Sequence, residues 1–283
     1  MDSSQLFGGV MVAYIIATVF YLGLFLFKSQ RAGQIGMLLV LGGVLVHTAA
    51  LGLRWYESYQ MGIGRAPLTN MYESLVFFAW CTALLYLFME FRFKARIMGT
   101  FVMPCIALTM AYASFSARID DRITPLIPAL QSDWLIAHVV TCFIGYGAFT
   151  VAFCLGVMYL LKQAAMNRNG KSDSRLAALP DLKVIDELTY KSIVLGFLWL
   201  TAGIITGAIW ANEAWGTYWS WDPKETWSII TWFVYASTLH ARFTRGWSGS
   251  RIAWMAIVGF MAVLFTYFGV NFFLSGLHSY GSS

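Results

Sequence analysis

The residues most able to do chemistry lie in one short aromatic segment. Residues 210–227 read WANEAWGTYWSWDPKETW and contain Trp210, Trp215, Trp219, Trp221 and Trp227. Tryptophans at this density predict a platform on which a flat, apolar, polycyclic ligand could stack. Trp215 and Trp219 are four residues apart, so on a short helix they would share one face. The alternative is an interfacial aromatic belt, but a belt spreads its aromatic residues over all helix ends.

The end of this segment has the pattern of a helix start. Asp222 at the N-cap, Pro223 at the first helical position and Glu225 three residues after the cap form a capping-box pattern. The acidic residues therefore have a structural explanation. A helix N-terminus with Lys224 beside it would also attract anionic groups of a ligand, such as propionates. Both roles can hold together.

The four histidines are the candidate metal ligands. They are His47, His138, His240 and His278. Ionisable groups inside membrane spans are costly and often mark a site, and neutral imidazole commonly binds iron. We expect His138 and His278 near the membrane face that carries the tryptophans. His240 would lie roughly 20 Å deeper and suggests a second site, whereas His47 has no predicted role beyond structure.

Two arginines flank a turn-rich loop that precedes the third apolar run. Arg54 and Arg65 belong to the sequence RWYESYQMGIGRAPLTNMYES. Their guanidinium groups could pair with anionic groups of a ligand, and they could equally pair with lipid phosphate. The sequence leaves both alternatives open.

These residues need a membrane to position them. Hydrophobic residues make up 59% of the 283 and charged residues only 12%, with a mean hydropathy of +0.64. A soluble fold of this length could not bury so much apolar surface. We therefore predict an all-α polytopic membrane protein with about eight transmembrane helices. The expected spans are residues 6–27, 34–53, 71–90, 97–114, 134–161, 191–209, 226–241 and 252–275.

The predicted organisation is one transmembrane domain over residues 1–283, without a soluble domain. The first apolar run lacks a basic n-region and a cleavage site, so we expect a retained helix rather than a signal peptide. Residues 162–190 form the one clearly polar segment, predicted as a cytoplasmic loop with an amphipathic helix over residues 182–189. The cysteines form no CxxC pair, which argues against a thiol–disulfide oxidoreductase.

The distribution of basic residues predicts the orientation. One set of loops carries 14 of the 19 Lys and Arg residues, and the other set carries 5. The richer set should face the cytoplasm, so both termini should lie on the outer, periplasmic or lumenal, side. The outward segments are then residues 54–70, 115–133 and 210–227 and the tail after Ser275.

The tryptophan segment resembles a known signature. WGTYWSWDPKE matches the WGxxWxWDxxE or "WWD" pattern of haem-handling proteins in cytochrome c biogenesis. Within that superfamily the chain resembles the CcsA (ResC) family of system II. The eight expected spans, the GRAPLTNMYES loop and the positions of three histidines also fit that family. The resemblance covers nearly the whole chain.

The resemblance implies a function and partners. CcsA-type proteins pair with a CcsB (ResB) membrane protein, and the complex moves haem b outward as its substrate. Haem then sits under the tryptophan platform, where its vinyl groups join the thiols of a CxxCH motif in apocytochrome c. By position, His138 and His278 match the two outer haem ligands and catalytic residues, and His240 matches the deeper ligand. The chain would thus be part of a cytochrome c synthase, or haem lyase-type, complex.

The same resemblance sets the expected location and the alternatives. The membrane would be the bacterial inner membrane, or a thylakoid membrane, and nucleic acid is not an expected partner. One alternative is a b-type membrane cytochrome for electron transfer, which would need bis-histidine pairs between spans. A second alternative is a CcmC-like protein that loads haem onto a chaperone, although such proteins are shorter than this chain. A small-molecule transporter would need broken helices or a polar midplane.

Overall fold

The computed structural model describes residues 2–169, 176 and 179–274, and in these ranges all regular structure is helical. The long helices are α1 (Ser3–Phe27), α2 (Gln30–Gln60), α3 (Met71–Phe93), α4 (Gly99–Phe115), α5 (Asp133–Asn169), α6 (Leu182–Trp215), α7 (Pro223–Arg245) and α8 (Ser250–Leu264). A π-helical turn, Phe265–Gly269, joins α8 to a last short helix, α9 (Val270–Phe273). Short 3₁₀ turns cover Arg96–Met98 and Pro128–Leu130.

The predicted all-α polytopic architecture is confirmed. In the described part of the chain, seven helices are long and apolar enough to cross a membrane. The helix that fails this test is α7, predicted as the seventh span. Its 23 residues would reach about 35 Å, which is sufficient length, but both of its ends are polar and charged.

The polar segment between the fifth and sixth spans differs from the prediction. Leu182 to Thr189 do not form a separate amphipathic helix, because they are the first turns of α6. Asp186 explains why the helix continues beyond the apolar run. Its carboxylate accepts hydrogen bonds from Arg242 Nη1 at 3.0 Å and from the Gly249 backbone at 2.7 Å. These polar turns therefore fix the connection between α7 and α8, while residues 170–175, 177 and 178 lie outside the described ranges.

Small residues allow α5 and α6 to pack closely along much of their length. A Cβ atom on Gly196 would lie 2.5 Å from the Phe149 ring, and one on Gly203 would lie 2.5 Å from Cys142 Sγ. Glycines at such spacings let two membrane helices approach closely. This seam sets the distance between the two helices that carry the main candidate site.

Three connections meet at the membrane end that carries the tryptophans, which we call the platform end. The α2–α3 and α4–α5 connections contact each other, because Arg65 Nε donates to the Thr124 carbonyl at 2.9 Å. The α4–α5 connection also contacts α6, because Trp210 Nε1 donates to the Ala129 carbonyl at 2.8 Å. The platform end is thus a layer of packed loops above the helix bundle.

Candidate functional site

A cavity of about 200 Å³ opens at the platform end between α3, α5, α6, α7 and the π-helical turn. Its volume is several times that of a void that holds one water molecule, so it can accept a small ligand or one part of a larger ligand. Of the residues singled out from sequence, those that line the cavity are His138, Trp210, Trp219, Lys224 and Glu225. The structure therefore brings the predicted imidazole together with part of the predicted platform.

The imidazole of His138 is held in one orientation by α6. Its Nδ1 atom lies 2.7 Å from the carbonyl oxygen of Gly203. A carbonyl can only accept, so Nδ1 carries the proton and Nε2 carries the lone pair. The ring also stacks on Trp210, with centroids 5.9 Å apart and planes 20° from parallel. His138 thus has the tautomer of a metal ligand that binds through Nε2, with its other nitrogen bonded to the backbone.

Gly207 provides the space that this imidazole occupies. A Cβ atom at position 207 would lie 2.5 Å from His138 Nδ1 and 2.7 Å from its Cε1. Both distances are far below van der Waals contact, so only glycine permits this ring position. The backbone of α6 therefore contributes a hydrogen bond at Gly203 and clearance at Gly207, one helical turn apart.

The tryptophans divide between the end of α6 and the loop that follows it. Trp215 is the last residue of α6, and Gly216 ends the helix with φ +77°. Trp219 lies beyond this break, so the prediction that Trp215 and Trp219 share a helix face is wrong. Trp215 instead packs edge-on against Trp210, with ring centroids 4.9 Å apart.

Trp219 is the tryptophan of the loop that faces the cavity. Its indole Nε1 atom is buried, and it has no hydrogen-bond partner among the residues that the structure describes. Trp221 packs edge-on against it at 5.7 Å and is itself 72% exposed. Trp227 lies on α7 and packs on Phe265 at 4.1 Å. In the loop, Trp219 thus faces the cavity, whereas Trp221 packs against it and is exposed to solvent.

The predicted start of the seventh helix is confirmed. Asp222 is the N-cap of α7, Pro223 follows it, and Glu225 completes the capping box. The Glu225 carboxylate also accepts a hydrogen bond from the Ser220 backbone at 2.8 Å, which ties the tryptophan loop to the helix. Glu225 therefore has a structural task, although part of it lines the cavity.

Lys224 points its ammonium group into the cavity wall. Its Nζ atom donates to Asn271 Oδ1 at 2.9 Å. Burial lowers the pKa of Lys224 to about 8, and the charge of Asp222 opposes this shift. Lys224 lies just before the predicted seventh span, residues 226–241. With a pKa of about 8, its ammonium group is mostly charged at neutral pH. A cation at a helix N-terminus in a cavity favours an anionic ligand group.

Arg54 and Arg65 lie beside the cavity but do not line it. Arg54 Nε and Arg65 Nη1 contact opposite oxygens of the Glu73 carboxylate, at 2.9 and 2.6 Å. All three side chains are buried. Arg54 Nη2 also donates to the Asp121 carbonyl at 2.6 Å. In this arrangement the two guanidinium groups join the platform-end loops around one carboxylate.

The remaining histidines lie apart from this cavity or outside the described ranges. His47 is buried in α2 between Phe7 and Tyr14, and its Nδ1 lies 3.3 Å from the Tyr14 hydroxyl. His240 is exposed on α7, near the C-terminal end of this helix and away from the platform end. His278 falls in the terminal segment from Ser275 onward, which the described residues do not include.

Sequence reasoning did not select the two glycines that orient His138. Gly203 accepts the hydrogen bond of its imidazole, and Gly207 leaves space for the ring. Asn271 lines the cavity and accepts a hydrogen bond from Lys224. The signal for the glycines was available, because Gly196, Gly203 and Gly207 are spaced seven and four residues apart and form one face of α6. Nothing in the sequence links that face to one imidazole on another helix.

Comparison with known proteins gives consistent matches. Residues 68–278 match the family described as Cytochrome C assembly protein. A "Cytochrome c biogenesis protein CcsA" of Guillardia theta is 39% identical over 277 residues, which cover 93% of this chain and 90% of that protein. The CcsA of Synechococcus sp. (strain CC9902) is 40% identical, with 90% and 88% covered.

A solved structure supports the fold. The chain resembles the structure titled "Cytochrome c Heme Lyase CcmF" with a TM-score of 0.71 and 18% sequence identity. The match covers 95% of this chain and 47% of that one, so this chain spans about half the length of the solved structure. At this identity, the likeness concerns the helical architecture alone.

Proposed function

Because the chain belongs to the Cytochrome C assembly protein family, with CcsA proteins among its relatives, we propose that its platform-end cavity holds haem and presents it to apocytochrome c. Haem is the substrate here, bound through its iron and released as part of the product. The family membership expected from the tryptophan signature is thereby confirmed. The proposal concerns how this chain's residues handle that substrate.

The observation that carries the proposal is the fixed tautomer of His138. Its Nδ1–H donates a hydrogen bond to the Gly203 carbonyl, so Nε2 is the nitrogen that carries the lone pair and the one through which this imidazole would bind iron. Hydrogen bonds of this kind orient imidazole ligands and raise their basicity. Gly207 on the same face leaves the ring the space to hold this orientation.

The other groups of the cavity suit the apolar macrocycle and the anionic propionates of haem. Trp219 offers an indole surface for the macrocycle, whose faces are flat and apolar, while Trp210 stacks on the His138 ring and supports it from behind. The ammonium of Lys224 and the indole N–H of Trp219 are donors suited to a propionate carboxylate. We propose His278 as the second axial ligand, as predicted from sequence.

The reaction needs no nucleophile from this chain. A thiol of the CxxCH motif adds across a haem vinyl group, with sulfur bonding to one carbon and the proton to the other. No atom leaves, so the protein's contribution is to hold the vinyl edges where the thiols can reach them. Orientation of this kind can lower a barrier by about 7–11 kcal/mol in favourable cases. The chain therefore acts as the haem-holding part of a cytochrome c synthase.

A membrane partner is proposed on the surface of α7. Ile230, Phe233, Ser237, His240 and Thr244 are exposed at helical spacing and form one stripe. Within this stripe, the ionisable imidazole of His240 is costly to leave facing lipid. A CcsB (ResB) protein that covers this stripe could supply the second ligand for a deeper haem at His240.

The orientation proposal follows the distribution of basic residues. The platform end would face the periplasm or the thylakoid lumen, where apocytochrome c is matured. A phosphatase reporter fused after Ser283 should be active, and one inserted after Pro180 should be silent. The reverse pattern would put the cavity on the cytoplasmic side and remove the proposed acceptor.

Replacement of the proposed ligand tests the function. In the complex with its partner, His138→Ala should lower haem at the platform end and abolish cytochrome c maturation, while the protein still inserts in the membrane. Added imidazole should restore part of the haem spectrum, because it can occupy the vacated position. Val139→Ala is the matched control, since it shortens a neighbouring lining side chain without removing a ligand. Normal maturation by His138→Ala would contradict the proposal.

A further inference from the structure

A second cavity lies at the membrane end opposite the platform end. It measures about 770 Å³ and opens between the C-terminal ends of α1 and α3, the first turns of α2 and the 3₁₀ turn Arg96–Met98. The haem proposal uses none of its residues. Its size exceeds that of a packing void, so its lining indicates what it could accept.

The lining of this second cavity is basic. Lys28, Lys94 and Arg96 line it together with one carboxylate, Glu90, which leaves a net charge of +2. Lys28 and Lys94 are exposed residues that directly follow α1 and α3. Neither forms an ion pair with another residue of the described ranges. Their ammonium groups are therefore available to an anion in the cavity.

Glu90 fixes Arg96 at the cavity wall. The buried Glu90 carboxylate accepts hydrogen bonds from Tyr21 at 2.7 Å and Tyr86 at 2.5 Å, both to Oε2. Its other oxygen lies 3.3 Å from Arg96 Nε. Among the residues that the structure describes, Arg96 Nη2 has the thioether of Met37 as its hydrogen-bond partner, at 3.8 Å, and a thioether is a weak acceptor. The guanidinium is thus positioned by Glu90 with donors left for a stronger acceptor.

The apolar part of the lining indicates the kind of anion. Leu24, Phe91 and Ile97 line the same cavity, and Phe27 is exposed beside it. The cations lie where the apolar spans α1 and α3 end, which is the depth of lipid headgroups. Basic pockets between transmembrane helices at this depth suit acidic headgroups. We propose that this second cavity binds the phosphate of an anionic phospholipid, with its acyl chains along the apolar lining.

The test uses the purified full-length protein in detergent. We measure its thermal midpoint as dioleoylphosphatidylglycerol, dioleoylphosphatidylcholine or inorganic phosphate is added. The anionic lipid should raise the midpoint, and the other two should have little effect. A variant with Lys28→Gln, Lys94→Gln and Arg96→Gln should bind the anionic lipid about 100-fold more weakly, because each basic residue contributes about a factor of five.

The control variant removes equal charge elsewhere at the same membrane end. The three residues chosen lie outside the cavity: Lys183, Arg245 and Arg251. The variant with all three replaced by Gln should show the same rise of the thermal midpoint with anionic lipid as the wild type. Lys94→Gln alone should weaken binding about fivefold, and it keeps the test usable if the triple variant does not fold. Equal responses to both lipids, an equal response to inorganic phosphate, or an equal loss in the control variant would each overturn the proposal.

Discussion

Alanine at position 207 offers a sharp test of how His138 is held. The new Cβ atom would lie 2.5 Å from His138 Nδ1, whereas comfortable contact needs about 3.5 Å. The imidazole would have to retreat by about 1 Å. A retreat directly away from α6 would lengthen the Nδ1 to Gly203 distance from 2.7 Å to at most about 3.7 Å, which is beyond hydrogen-bond range.

The sizes of the competing effects favour a loss of function over a loss of folding. Alanine in a helix is about 0.5–1 kcal/mol better than glycine, and a modest overpacking costs about 1–3 kcal/mol. These terms partly cancel, so Gly207→Ala should still fold. Loss of the imidazole's backbone partner and a displacement of about 1 Å should reduce haem attachment about 10- to 100-fold.

The assay is the yield of a matured reporter cytochrome c, together with the visible spectrum of haem bound to the complex. Gly52→Ala is the matched control, because a Cβ atom there meets nothing within 4 Å. We expect the control to match the wild type in both measurements. A normal spectrum and a normal yield from Gly207→Ala would refute the reasoning, since His138 would not depend on the clearance.

Three further predictions concern the groups around the cavity and on α7. His240→Ala should lower total haem while the platform-end spectrum stays normal, because His240 is exposed and far from that cavity; full haem and full maturation would contradict a deep site. Haem affinity should fall as pH rises through about 8, because Lys224 loses its charge there. Lys224→Arg should remove this pH dependence. Haem-binding titrations of both proteins between pH 7 and pH 9 measure the effect. Glu73→Gln should destabilise the fold by about 3–5 kcal/mol, since it leaves Arg54 and Arg65 buried with a neutral partner; an unchanged midpoint of thermal unfolding would show that the carboxylate charge is unimportant.

Hydropathy predicted the helices but not where they end. Residues 191–209 were expected as the sixth span, whereas α6 runs from Leu182 to Trp215. Hydropathy reports the thickness of the lipid core, and a helix continues beyond it wherever other contacts stabilise its polar turns. Asp186 provides such contacts through Arg242 and Gly249. Only the folded arrangement of α6, α7 and α8 reveals them.

The candidate site was predictable where local sequence chemistry determines structure. The capping box at Asp222 and Glu225 depends on neighbouring residues, and it is present. The expected shared face of Trp215 and Trp219 failed because Gly216 ends the helix between them. The contacts of His138 with Gly203 and Gly207 join residues more than 60 positions apart, so no local pattern could show them. The proposed ligand roles of His138, His240 and His278 stay predictions.

The π-helical turn Phe265–Gly269 gives the last membrane helix an extra residue. Each residue of an α-helix turns the chain by about 100°, and a π-bulge behaves as one inserted residue that changes the register of everything after it. Asn271, which accepts from Lys224, comes two residues beyond this turn. A regular α-helix without the inserted residue would direct position 271 about 100° away from the cavity. The contact between Asn271 and Lys224 therefore depends on the length of the chain at this point as much as on the identity of either side chain.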